Sequence, residues 1–495
     1  MIQSALISVF AKDGLEPLAR ALAENDVEIF STGGTADFLN DLDIKVTRVE
    51  DITKFPSVFG GRVKTLHPMV FGGILYRRDF EKDLEEKAAF GIPSIDLVIV
   101  DLYPFEETVA NTDDEAQIIE KIDIGGVSLI RAAAKNFKFT SIISNKNQYS
   151  EFLDHYLGNN HNTTLAFRKS LAESAFSNTA HYDRSIADYF GGIKSQTLRY
   201  GENPHQLASF KANQEALFTQ LHGKELSYNN LLDMDAAISL MADLNVLSKP
   251  ACAVIKHNNA CGVALRDSLH KAFQDALAGD PVSAFGGVLV CNEKVDMASA
   301  QDMNEIFFEI LIAPEFAPDA LALLKSKKNR IIIAIKHWEL PENNVRSILN
   351  GSLYQTRDLQ VDRTRHGEVK TMQSPDESAC NDLDFANILV KHTRSNAIIL
   401  ASNLQLIGSG TGQTSRVDAL KQAIQKAHNF GFKTAGAVMA SDAFFPFPDC
   451  VEIAHDAGIK NVVQPGGSIK DQLSIDYCNE NGMSMVFTGH RHFKH

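Results

Sequence analysis

Six short segments concentrate side chains able to move protons or hold anions. Lys256-His257-Asn258-Asn259-Ala260-Cys261-Gly262 follows the apolar run from Ala253 to Ile255, so its polar cluster emerges at a strand end, where open α/β sheets place ligands. Histidine suits acid/base exchange near neutrality, and lysine suits holding developing negative charge. Gly60-Gly61-Arg62-Val63-Lys64-Thr65-Leu66-His67-Pro68 packs three potential cations behind a glycine pair, a composition that fits an anionic substrate. Ser31-Thr32-Gly33-Gly34-Thr35 sets two glycines and three hydroxyls between a strand and a helix, where backbone N–H groups and the helix dipole converge on an anion. Asp123-Ile124-Gly125-Gly126 leads into a helix on which Arg131 and Lys135, four apart, share a face. Thr411 to Arg416 is a small-residue turn ending in a guanidinium that can fork onto a carboxylate or phosphate. Ser441 to Asp449 is an aromatic run broken by prolines, a flat wall for a planar heterocycle.

Each segment also has a plain structural reading. Strand-to-helix glycine loops are common as capped turns, surface Lys and Arg are mostly solvated, and a strand-end histidine is more often a satisfied structural group than a catalyst. The aromatic run serves as well for a buried loop plug. The C-terminal His490-Arg491-His492-Phe493-Lys494-His495 reads by default as a mobile tail. His366-Gly367-Glu368 has the form H-x-E, but no P-C-x-x-C follows, so a zinc deaminase lacks its ligands.

The elements that must position these groups alternate strand and helix. Over the first ~190 residues short apolar runs alternate with helical patterns, the signature of an α/β domain with a mainly parallel sheet. Asp13 with Glu16 reads as a capping box, Pro17 sits in the first turn, and Leu15, Leu18 and Leu22 recur at helical spacing. Strands are expected at 27–30, 97–101 and 139–144. Near 185–200 a helical stretch gives way to GGIKSQTLRYGENPHQ, a turn-rich boundary; domains of 1–195 and 196–495 follow. The second part again reads as α/β, with strands at 253–256, 288–291, 330–335 and 397–401 and helices at 267–278 and 416–428. DPVSAFGG (280–287) and SDAFFPFPD (441–449) share a faint pattern that hints at two related halves.

The chain has 495 residues, enough for two to four domains at ~150 residues each. Its 48 Lys and Arg against 62 Asp and Glu give a net charge of −14 with no basic stretch, which argues against nucleic-acid binding but leaves room for a local anion pocket. The N-terminus lacks a signal-peptide pattern, and no apolar run approaches the ~18 residues of a membrane span, so a cytoplasmic protein is expected. Six scattered Cys with no C-x-x-C pair fit neither a disulfide framework nor a structural zinc site.

Taken in order, STGGT, GGRVKTLHP, LYPF, IDIGG, AAAKN, LRYGENPHQ, KHNNACG, DPVSAFGG, GQTSR and SDAFFPFPD closely resemble the bifunctional purine-biosynthesis family that joins IMP cyclohydrolase to AICAR transformylase, from about Ser8 to His495. The resemblance implies a methylglyoxal-synthase-like three-layer N-terminal domain with a mainly parallel sheet, and a transformylase region of two cytidine-deaminase-like α/β subdomains without zinc. It implies formyl transfer from 10-formyltetrahydrofolate to the 5-amino group of AICAR, then dehydrative closure of formyl-AICAR to IMP. No nicotinamide is implied; homodimers whose transformylase sites draw on both subunits are, and in some members a potassium ion (K+).

The resemblance further implies roles residue by residue. In transfer, His257 acts as base and acid, Lys256 supports charge, and Asn396 orients the formyl group. Arg199, Tyr200, Arg416, Phe444, Arg491, Phe493 and His495 match substrate-binding positions, and Asp449 an acid near the pterin, so an ordered tail is implied. For closure, Lys64, Tyr103, Asp123 and Lys135 fall on catalytic positions. Ser8, Lys12, Ser31, Thr32, Gly33, Gly34, Thr35, Arg62, Thr65, Gly125 and Gly126 would hold the substrate, chiefly its ribose phosphate. The chain departs from the family pattern at Phe10, where a hydroxyl is usual, at Asp101 for Asn, at Ala260 for Pro, at Glu309 for Asp, and at NGSLYQ (350–355), where the family is richer in glycine. A new charge at Asp101 beside an anion is unfavourable unless it is paired or turned away. The losses near the N-terminus also motivate a runner-up, an active transformylase whose N-terminal domain is a phosphate-binding regulatory module.

Overall fold

The computed structural model covers residues 1–495, and the chain divides into two compact units, Met1–Ile193 and Lys194–His495. In the first, strands Ser4–Ser8, Glu28–Ser31, Thr47–Arg48, Leu97–Val100 and Ser141–Ile143 form one parallel sheet. Leu97, Val98, Ile99 and Val100 are all buried, as a parallel strand covered on both faces must be. Across the sheet the strands run from Thr47–Arg48 through Glu28–Ser31, Ser4–Ser8 and Leu97–Val100 to Ser141–Ile143. The chain therefore builds outward from Ser4–Ser8 to one edge and resumes on the other side at Leu97–Val100. The carboxyl ends of these two strands flank a topological switch point, where such sheets open a ligand crevice.

The first helix, Leu15–Glu24, buries Leu15, Leu18 and Leu22. Its N-cap falls on Gly14, at φ +77°, which has no side chain to accept a hydrogen bond. Asp13 and Glu16 therefore do not form the expected capping box, and Asp13 faces Lys146 at 3.6 Å instead.

The second unit is built on a twelve-stranded sheet whose order is the same from either edge. One half holds Phe218–His222, Ala251–Lys256, Asn259–Leu265, Val288–Cys291, Ile310–Ala313 and Ile331–Ile335; the other holds Glu368–Val369, Ile398–Ser402, Gln405–Gly410, Val438–Ser441, Asn461–Gln464 and Ser484–Phe487. In each, a hairpin is followed by a strand antiparallel to its first arm, then by two parallel strands, with a short antiparallel strand at the edge. Helices Tyr228–Leu244 and Glu377–Lys391 precede the two hairpins, and Leu269–Gly279 and Arg416–Asn429 follow them. The halves join through Asn259–Leu265 and Gln405–Gly410. One apolar core runs under both halves, whereas the opposite face has a separate core for each.

The two halves are related in topology, but DPVSAFGG and SDAFFPFPD are not the corresponding segments. The first precedes Val288–Cys291, whereas the second follows its counterpart Val438–Ser441. The true correspondence lies in packing. A Cβ on Gly262 would fall 1.9 Å from the Ala276 carbonyl, and one on Gly408 2.2 Å from the Ala423 carbonyl, so in each half the second hairpin arm touches the backbone of the next helix. Gly408→Ala is expected to destabilise this unit by about 1–3 kcal/mol, the usual cost of overpacking, read as a lower denaturation midpoint.

Candidate active sites

In the first unit, hydroxyls of the glycine turn fasten the loop. Ser31 Oγ donates to the Ile7 carbonyl at 2.6 Å, and Thr35 Oγ1 donates to the Val9 carbonyl at 2.9 Å while accepting from the Val9 amide. Thr32 Oγ1 reaches Glu50 at 3.4 Å. What remains for an anion is the start of helix Gly33–Asp41 together with Lys64, whose Nζ lies 3.0 Å from where a Cβ on Gly33 would sit. Lys12 Nζ is turned onto the Val9 and Phe10 carbonyls, at 3.0 and 2.9 Å, and Arg62 pairs with Glu120 in solvent. Neither is a free cation, because each already holds an acceptor.

Ser8 ends the first strand. Opposite it, Asp101 directs its carboxylate onto the Phe10 and Ala11 amides, the latter at 2.9 Å. The departure from Asn is therefore paired: the acid caps the loop backbone. Burial pushes its carboxyl up, against those amides and Lys12. Phe10 packs edge-on against Tyr103 at 5.7 Å, with Lys121 Nζ above both rings.

Asp123 is the hub of this site. Its Oδ1 accepts from the Gly126 amide at 2.6 Å, and its own amide donates to Tyr182 at 2.9 Å. Burial pushes the Asp123 carboxyl up, and Asp101 adds to this, against the Gly126 and Tyr103 amides and the charge of Lys64. Burial also pushes the Tyr103 phenol up, helped by Asp123, Glu120 and Asp101. A carboxyl raised above its ordinary value beside a lysine and a protonated phenol is a set able to exchange protons. Gly125 and Gly126 are needed because a Cβ would meet Thr65 Oγ1 at 3.0 Å and Asp123 Oδ2 at 2.6 Å.

Lys135 does not join this set. It ends helix Gly125–Lys135, and eleven residues at ~1.5 Å rise carry it ~16 Å along the axis. There it shares with Arg131 a separate groove of about 630 Å³ floored by Phe71, Phe137 and Phe176.

The second unit holds a cavity of about 520 Å³, within the range of small-molecule sites. Lys256 ends its strand and donates to the Phe285 carbonyl at 2.8 Å. His257 and Asn258 form a two-residue hairpin turn, both left-handed, with φ 50° and 64°. The alternation that would send Lys256 and His257 to opposite faces stops there, and both line the cavity with Arg199 and Tyr200. Sequence reasoning missed Lys224, Asn230 and Asp233 on this wall and gave Glu309 no place in it. Lys224 Nζ and Asn230 Nδ2 converge on Glu309 Oε2 at 3.3 and 3.1 Å. Asn230 and Asp233 lie on a largely buried helix, Tyr228–Leu244, with no motif of their own.

A second cluster gathers the other expected residues. The buried Arg416 guanidinium donates to Asn396 Oδ1 at 2.8 Å, to Ser441 Oγ at 2.9 Å and to Asp442. Asn396 Nδ2 donates to the Gln413 carbonyl at 2.9 Å. The tail is ordered beside them: the His492 amide donates to the Asp442 carbonyl and the Ser395 amide to the Lys494 carbonyl. Arg491 lies over Phe493 at 4.3 Å, and Phe493 meets His495 at 5.6 Å. Phe444 is partly exposed beside the buried Phe445, and Asp449 opens helix Asp449–Asp456. None of these residues lines the Lys256–His257 cavity.

The tail is latched by His492, which meets Asp358 at 2.6 Å and Asp362 at 3.0 Å, and by His490, which meets Asp362 at 2.8 Å. Burial opposes charge on His492, but Asp358 and Asp362 outweigh it and hold the imidazole above its ordinary value. Burial also opposes charge on the two aspartates. At Asp358 it is outweighed by His492, and at Asp362 by Gln360, His492 and His490, so both sit below the usual carboxylate range. The raised histidine stabilises fully below its unfolded value near 6.5 and loses that contribution as pH rises through its folded value. The lowered carboxylates contribute above about 3.8 and lose theirs as pH falls. Hydrogen exchange of residues 488–495, corrected for intrinsic rate, is expected to accelerate as pH rises above 6.5, and His492→Gln should abolish that pH dependence.

Comparison with known proteins decides the family. A model described as the AICARFT/IMPCHase bienzyme matches residues 133–426, and one described as the MGS-like domain matches residues 14–128. The bifunctional purine biosynthesis protein PurH of Bacteroides thetaiotaomicron is 53% identical, with 100% of this chain and 99% of that protein aligned. The chain belongs to the AICARFT/IMPCHase bienzyme family. The PurH proteins of Aquifex aeolicus, 46% identical over 99% of this chain and 100% of the relative, and Persephonella marina, 44% identical over the full length of both, agree. The MGS-like match contains the Ser31–Thr35 turn, Lys64, Tyr103 and Asp123, while the bienzyme match contains Lys135, Lys256, His257, Asn396 and Arg416. The tail lies beyond both models but inside the full-length alignments.

Proposed function

We propose that this bienzyme performs the last two steps of IMP synthesis at two separate sites, transformylation in residues 196–495 and cyclisation in residues 1–195. The observation that carries this is a full-length match to bifunctional relatives in a chain whose cavity joins Lys256 and His257. In the first step the AICAR 5-amino group attacks the formyl carbon of 10-formyltetrahydrofolate. The amine is conjugated with its heterocycle and nucleophilically weak, so His257 takes its proton as the bond forms. Lys256 stabilises the oxyanion. The bond from carbon to N10 breaks, and His257 returns the proton to N10, releasing tetrahydrofolate. In the second step the carboxamide nitrogen attacks the new formyl carbon and the carbinolamine loses water. Lys64, Tyr103 and Asp123 move the protons, and alignment supplies much of the acceleration.

A homodimer in the cytoplasm is part of this reading. Asn396, Arg416, Phe444, Asp449 and the tail residues Arg491, Phe493 and His495 serve the transformylase site from the partner subunit, which accounts for their separation from the Lys256–His257 cavity. The hairpin Asn343–Ile348 with Gly351–Thr356 exposes Val345, Leu353 and Tyr354, and such an isolated hairpin is marginal in water without a covering surface. Potassium, where bound, would be held by the buried Asp442 Oδ2, which has no hydrogen-bond partner.

The runner-up keeps only the transformylase, with the first unit as a phosphate-binding regulatory module. Lys12 folded onto its own loop and Asp101 set on the loop amides favour it. An assay of purified protein with AICAR and 10-formyltetrahydrofolate, quantifying tetrahydrofolate and IMP together, separates the two. Equal yields support the bifunctional reading, whereas tetrahydrofolate with IMP only at the uncatalysed rate supports the module.

A further inference from the structure

The two halves of the second unit build the same turn twice. His257 and Asn258 join one hairpin at φ 50° and 64°, and Asn403 and Leu404 join the other at φ 51° and 54°. Each is held by an aspartate at the sixth position of the preceding helix, Asp233 in Tyr228–Leu244 and Asp382 in Glu377–Lys391. Left-handed backbone is unfavourable at non-glycine residues, and a carboxylate on the turn amides offsets that cost. Asp382 commits both oxygens, accepting from the Asn403 amide at 2.8 Å and the Leu404 amide at 2.6 Å. Asp233 commits one, Oδ1, to the Asn258 amide at 2.7 Å, and lines the cavity that holds Lys256 and His257. The turn without an acid/base side chain shows what the backbone requires. The turn bearing His257 departs from it by leaving a carboxylate oxygen uncommitted beside two basic side chains.

We infer that Asp233 is a positioning residue for formyl transfer, fixing the His257 turn through Oδ1 and steadying the imidazolium formed when His257 takes the amine proton. This rests on the transformylase reading above. The proton passes from the amine to His257 and on to N10, while Asp233 stays ionised throughout, as the orienting acid of a triad does. The charged groups facing it are Lys256 and His257 on the hairpin, Arg199, Lys224 and Glu225 on the segments before the helix, and Glu309 at the entry to Ile310–Ala313. Burial raises the Asp233 carboxyl and Glu309 adds to this, against the Asn258 amide and the charges of His257 and Lys256.

Asp233→Asn keeps an acceptor for the Asn258 amide and removes the charge. It is expected to lower kcat for tetrahydrofolate formation at least about tenfold with KM for AICAR nearly unchanged. The acid limb of the kcat profile should move to lower pH, since the charge that favours the imidazolium is gone. Asp382→Asn, the matched change in the other half, should lower the thermal midpoint yet leave kcat and the pH profile as in wild type, and Asp233→Glu should recover part of the rate. A wild-type kcat and profile in Asp233→Asn, with wild-type transfer intact, overturns this role alone. A wild-type protein that releases no tetrahydrofolate overturns the transformylase reading and this role with it.

Discussion

His257→Ala is expected to slow tetrahydrofolate release by about 10²–10⁴-fold, the contribution of a positioned acid/base group, while supplied formyl-AICAR still closes to IMP at the wild-type rate. The selectivity follows from separate sites: the His257 turn lies in Lys194–His495, and Lys64, Tyr103 and Asp123 lie in Met1–Ile193. A second construction tests where the Asn396 cluster acts. Asn396→Ala removes one acceptor of the Arg416 guanidinium and should also abolish transfer. If each site takes His257 from one subunit and Asn396 from the other, a mixed dimer of the two dead variants has both lesions in one site and an intact second site. Random mixing then restores about a quarter of wild-type activity, half the dimers being mixed and each having one of two sites. Sites built within one subunit give no recovery, and that outcome would remove the partner's role.

Lys64→Ala should produce the opposite phenotype. Tetrahydrofolate appears at the wild-type rate, formyl-AICAR accumulates, and IMP formation falls by about 10²–10³-fold, the usual loss when a charge-stabilising group is removed from a reacting centre. Residual IMP reflects closure without the enzyme, since the step is intramolecular. Lys64 is the cation the structure places at the Gly33 turn, whereas Lys12 and Arg62 are engaged elsewhere. Lys12→Ala should therefore cost cyclisation much less than Lys64→Ala, as read from the kcat/KM of each variant with formyl-AICAR. Comparable losses would mean that Lys12 leaves its loop carbonyls when substrate binds.

Much of the fold was legible because its signals are local. The apolar runs that become Leu97–Val100, Val288–Cys291 and Ile398–Ser402, and the helical periodicity of Leu15, Leu18 and Leu22, need only neighbours in sequence to be read. The duplication in the second unit was not legible. It is carried by strand order and by strand-to-helix contacts at Gly262 and Gly408, and sheet order depends on pairings between residues far apart in the chain. The faint likeness of DPVSAFGG to SDAFFPFPD pointed at the right idea through the wrong segments.

Residue identities reveal which chemistry is present: a Lys-His pair at a strand end, a glycine turn before a helix, an Asp-x-Gly-Gly start, and motifs in an order that belongs to one family. Covalent order and residue type suffice for that. Packing between distant segments selects which of those groups are available. The fold bonds the Ser31 and Thr35 hydroxyls to the Ile7 and Val9 carbonyls, sets Asp101 on loop amides, puts Lys135 at the far end of its helix and brings Asp233 beside His257. A polar side chain takes the best partner within a few ångströms, and that partner is set by how distant segments pack.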